Sequence, residues 1–76
     1  MKLTLLVQPD TTPDGKVALF SSLCPELDIA SQGYSEQEAR ENLREALEFF
    51  LEDATREEVE RRLASGARVS QLELAA

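Results

Sequence analysis

The chain has 76 residues, 42% hydrophobic and 30% charged, enough for one domain with a thin core and too regular in its apolar spacing for a disordered segment. Eight Lys and Arg against fifteen Asp and Glu give 8 − 15 = −7, which argues against nucleic acid as a direct partner, because phosphate binding needs clustered cations. A single cysteine makes no internal disulfide, no apolar run approaches a membrane span, and the apolar start is too short for a signal sequence, so a reducing, cytoplasmic setting is expected.

In chain order, "KLTLLVQ" (residues 2–8) alternates, with Leu3, Leu5 and Val7 on one face, and predicts a half-buried strand. "PDTTPDG" carries two prolines, two aspartates and Gly15, which is turn chemistry. "KVALFSSL" (16–23) predicts a second strand, apolar on both faces: Val17 and Leu19 on one, Ala18 and Phe20 on the other. A chain this small covers one face only, so the two-sided strand predicts a homodimer or higher oligomer. "DIASQG" (28–33) reads as a short third strand.

Ser35-x-x-Glu38 is a capping box, and Ala39, Leu43, Ala46, Leu47 and Phe50 follow at helical spacing; together they predict an amphipathic helix over 35–52. Glu36–Arg40 and Arg44–Glu48 are set four apart on its wet side. Thr55-x-x-Glu58 opens a second helix with Glu57–Arg61 and Glu58–Arg62 pairs, and Ser65-Gly66 closes it in the position where a glycine C-cap is usual. "RVSQLELA" (68–75) predicts a final strand with Leu72 and Leu74 on one face. The order β-β-β-α-α-β predicts an α+β two-layer sandwich, its fourth strand parallel beside the first by the right-handed crossover rule. Leu43, Leu47 and Phe50 are expected to pack on Leu3, Leu5, Val17 and Leu19, or on their opposite-face neighbours.

Chemistry is sparsely provided. No histidine is present to act as a base near neutral pH or as a metal ligand. Cys24 has no CxxC partner and reads as a small buried group. Glu26 and Asp28, with Asp10 or Asp14, could hold Mg²⁺, but the aspartates sit where turns need them. Gly15, Gly33 and Gly66 each fall at a turn or cap, so no phosphate loop is formed. Tyr34 and Phe49 fit either packing or exposed contacts. No catalysis, cofactor or metal is expected.

Within "GKVALFSSLCPELDIASQGYSEQEARENLREALEFFLE" (15–52), the succession Gly15, Cys24-Pro25-Glu26-Leu27, Ser31-Gln32-Gly33, Glu38-Ala39, Asn42-Leu43 and Glu45-Ala46 resembles the HicB-type antitoxin family of type II toxin–antitoxin systems. The match spans about half the chain. Asp28-Ile29 stands where many members have Pro-Gly, a form similar to the short, single-domain branch. The resemblance implies a partial ribonuclease-H-like fold and a partner toxin, a basic mRNA endoribonuclease whose active site the antitoxin masks. Thirteen residues follow Leu63 (76 − 63), too few for the appended DNA-binding domain of longer members, so one domain over 1–76 is expected.

"CPELDIASQG" then reads as a shaped connection in which Cys24 is buried, Pro25 stiffens the turn, and Leu27 and Ile29 anchor it. Glu26, Leu27 and Asp28 are the candidate partner-binding residues, the two carboxylates facing a basic partner or simply solvent. A stand-alone oligomeric scaffold of the same fold is the alternative function. A miniature metal-dependent nuclease would need aspartates in strand centres, and none is predicted there.

Overall fold

A computed structural model of the chain describes residues 1–75. It is an α+β domain of three strands, β1 (Leu6–Thr11), β2 (Ala18–Cys24) and β3 (Ile29–Gly33), followed by two helices, α1 (Glu36–Asp53) and α2 (Arg56–Ser65). The strands form an antiparallel meander in the order β1-β2-β3. Leu6 pairs with Leu23 and Thr11 with Ala18; Cys24 pairs with Ile29 and Phe20 with Gly33.

The first strand starts four residues later than its alternation suggests and runs through Pro9. An edge strand tolerates a residue with no N–H, so the reversal contracts to residues 12–17. There the Gly15 N–H donates to the Thr12 carbonyl at 2.7 Å and the Thr12 N–H to the Val17 carbonyl at 2.9 Å. Gly15 has φ +73, the left-handed conformation that glycine adopts without strain.

The first helix is read correctly from its caps. The Ser35 hydroxyl accepts from the Glu38 N–H at 3.0 Å, and Glu38 in return accepts from the Tyr34 N–H at 3.3 Å. Its stripe of Ala39, Leu43 and Leu47 is buried. It lies on the sheet face formed by Phe20, Ser22 and Cys24: the Ser22 hydroxyl donates to the Ala39 carbonyl at 2.8 Å in the interior, and Cys24, Leu27, Leu43 and Leu47 form the core, with Leu3, Ile29, Phe50 and Leu63 packed around it. Val17, expected beneath the helix, is exposed, Leu5 is only partly covered, and Leu19 is buried but on the sheet face away from the helix. The register sets Val17 before β2 and turns its even-numbered residues to the helix.

Two further expectations are corrected. No strand follows α2 among the described residues: residues 67–75 join no ladder. The nearest edge by the crossover rule is β1, which Pro9 deprives of a donor. Among the described residues Arg56–Glu60 pairs at 3.2 Å and neither Glu57–Arg61 nor Glu58–Arg62 does; Arg62 turns inward instead, donating to the Leu27 carbonyl at 3.1 Å and stacking over Phe50 at 4.9 Å. Gly66 is the C-cap of α2 as expected, its N–H donating to the Arg62 carbonyl at 2.8 Å, with φ −72 and not the left-handed conformation. It is needed for close approach, since a Cβ there would overlap the Glu26 carbonyl.

Candidate functional site

The CPEL turn joins β2 to β3 and is gripped from three sides. Cys24 and Leu27 are fully buried beneath Leu43 and Leu47. From the helical side, Arg62 holds the Leu27 carbonyl, and the Ala67 N–H donates to the Pro25 carbonyl at 3.0 Å. From the N-terminal side, the Thr4 N–H donates to both Glu26 carboxylate oxygens, at 3.0 and 3.1 Å, and the Thr4 hydroxyl donates to Glu26 Oε2 at 2.6 Å. These donors hold the Glu26 carboxyl below its ordinary value of 4.5.

The three candidate partner-binding residues therefore have different situations. Glu26 is half-buried and its carboxylate straps residues 1–5 to the turn. Leu27 has no exposed surface. Asp28 is exposed, at φ +55, a left-handed position that aspartate tolerates better than most residues. Of the three, Asp28 alone is exposed to solvent. Burial pushes the Cys24 thiol above its ordinary value, and a protonated, enclosed thiol is a poor nucleophile. No group of three or more metal-ligating side chains is brought together among the described residues.

A second exposed feature lies at the end of α1. Phe49 is 73% exposed, and helical spacing sets Glu45, Glu52 and Asp53 around it. Glu52 and Asp53 occupy the last turn, which has no basic residue, although the helix dipole disfavours carboxylates there. The face of the sheet opposite α1 carries no helix and, by strand parity, holds Leu6, Leu23 and Ala30 beside Gln8, Ser21 and Gln32, with Asp10 at its end; Leu19, on the same face, is buried. No helix is long and apolar enough to cross a membrane among the described residues.

The Glu26 strap makes a pH-dependent contribution. Its folded-state value lies below the unfolded one, so its stabilisation is complete above about pH 4.5 and is lost as pH falls through the lowered folded value. Glu26→Gln is expected to flatten the rise of stability with pH across that acid window and to speed amide exchange at Thr4 at neutral pH. Unchanged Thr4 exchange would show that the strap does not hold the N-terminal segment.

Comparison of the chain with protein-family models, with curated proteins and with solved structures finds no match.

Proposed function

We propose that the chain is an antitoxin-like protein that binds a small basic mRNA endoribonuclease and masks its RNA-binding surface. The observation that carries this reading is the exposed Phe49 ringed by Glu45, Glu52 and Asp53. Carboxylates kept where the helix dipole disfavours them break a local rule, and such breaks concentrate at functional positions. An aromatic group inside a field of anions is suited to an RNA-binding protein, whose Lys and Arg must face phosphate and whose base-stacking surface takes a flat ring. Asp28, held out on a rigid turn, adds a second anionic contact. The −7 charge would steer the encounter.

The reading gives the chain no reaction of its own, no cofactor and a cytoplasmic place beside its target. It carries the finer fold assignment, a partial ribonuclease-H-like sandwich, of which the β-β-β-α order is the opening portion. The resemblance in residues 15–52 supports the choice of toxin class.

The test mixes the chain with a small basic endoribonuclease encoded beside it. Excess chain is expected to stop RNA cleavage. Phe49→Ala should weaken association at least roughly tenfold, as loss of an aromatic anchor does, and Asp28→Lys should slow association and flatten its salt dependence. Unchanged cleavage at excess chain, or association indifferent to both substitutions, would overturn the reading.

A further inference from the structure

We propose that residues 67–75 are an exchange arm that lodges in the α1 groove of a second copy of this chain, making a reciprocal homodimer. The inference is independent of the toxin reading, since it concerns the chain alone.

The arm leaves α2 at Gly66 and has no ladder of its own. It nevertheless carries three large apolar side chains in the open: Val69 at 51%, Leu72 at 81% and Leu74 at 79% exposure. "SQLEL" alternates, so Leu72 and Leu74 share a face in an extended chain while Glu73 points the other way. The Cα radius of gyration is 14.4 Å, against about 11 Å for a compact chain of this length. Much of that excess is expected of an arm that stands away from the body, and nine residues reach roughly 30 Å when extended.

The receiving groove, of about 540 Å³, runs between α1 and the segment before β1. Leu3, Leu5 and Leu47 line it on the apolar side, and Gln37, Arg40, Glu41 and Arg44 form its rim. Leu5 remains 38% exposed although its parity turns it toward α1. Charge selects the same occupant. Two guanidinium groups meet one carboxylate at this rim, in a chain of net charge −7, and the arm offers the single carboxylate of Glu73 between its two leucines. Arg40 and Arg44 pair with Glu36 at 3.9 Å and Glu48 at 2.9 Å, but both pairs are solvent-exposed and such pairs are weak enough to rearrange. Glu26 fixes the groove by holding Thr4 between Leu3 and Leu5. Two-fold exchange doubles the contact, because each copy gives one arm and receives one.

The full chain should sediment at micromolar concentration with twice the 8.5 kDa mass of one copy. Leu72→Glu with Leu74→Glu should sediment at 8.5 kDa with unchanged far-ultraviolet circular dichroism. Arg44→Glu should weaken the dimer at least tenfold, and Arg44→Glu combined with Glu73→Arg should restore it. Leu6→Glu, on the sheet face opposite α1, should leave the dimer intact. A wild-type mass of 8.5 kDa, a dimer that survives the two arm substitutions or ignores Arg44→Glu, or a dimer dissolved by Leu6→Glu would overturn the proposal.

Discussion

Leu43→Ala is expected to lower the unfolding free energy by about 2–5 kcal/mol, the range for a leucine deleted from a closed core site. Leu43 is fully buried and touches the core on the side where Cys24, Leu27 and Leu47 meet. The surrounding groups have little freedom to collapse into the void. Cys24 is fixed in a ladder with Ile29, and Leu27 sits on a turn held by Arg62, Ala67 and Thr4. A domain of this size has roughly 4–11 kcal/mol of stability in all, so this one truncation removes a large share. Urea unfolding at a fixed protein concentration is the measurement, because association with a second copy would add its own stabilisation. Phe49→Ala, on the exposed face of the same helix, should change stability by no more than about 0.5 kcal/mol. If Leu43→Ala is as mild as Phe49→Ala, the core is not where Leu43 lies.

The parts of this fold that were legible in the sequence are those with local causes. Ser35 and Thr55 announce the two helices because a cap needs only the N–H three residues on, and both accept it, from Glu38 at 3.0 Å and Glu58 at 3.2 Å. The buried stripe of α1 follows from spacing in the same way. Strand limits were less legible, since register is set by pairing across the hairpin. Pro9 looks like the end of a strand, yet it is an edge position opposite Phe20. The same non-locality hid which face of β2 meets α1. Arg62 looked like a surface partner for Glu58, but the Leu27 carbonyl and the Phe50 ring, 35 and 12 residues away in sequence, claim it. At the turn, Glu26 and Asp28 are indistinguishable as neighbouring carboxylates until Thr4, 22 residues earlier, engages one and leaves the other free. The exposure of Phe49 could have been read earlier, from its place off the Leu43–Leu47–Phe50 stripe and among glutamates.

Gly33→Ala is expected to cost about 1–3 kcal/mol, the range for overpacking a closed site, although it adds only one methyl group. Gly33 ends β3 opposite Phe20, where α1 crosses the sheet. A Cβ there would lie 2.5 Å from the Ala39 nitrogen, 2.8 Å from the Glu38 carbonyl carbon and 2.9 Å from Glu38 Cβ. The first two are helix backbone, so no side chain can swing aside to relieve them. The first turn of α1 has to lift. Lifting it stretches the buried bond from the Ser22 hydroxyl to the Ala39 carbonyl, 2.8 Å long, and an interior hydroxyl that loses its partner is costly. It also pulls on the Asn42 amide, which donates to the Gln32 carbonyl at 2.8 Å. The cost is steric, not conformational, and Gly15 supplies the contrast: its φ is +73 with open space around it. Gly15→Asn should therefore be nearly neutral, since asparagine visits the left-handed region readily, whereas no L-residue fits at Gly33. Hydrogen exchange separates the two cases. Gly33→Ala should raise exchange at residues 38–42 selectively, ahead of global unfolding, while Gly15→Asn leaves them unchanged. Equal, small losses of stability from both substitutions would mean that α1 does not approach the sheet as closely as a glycine requires.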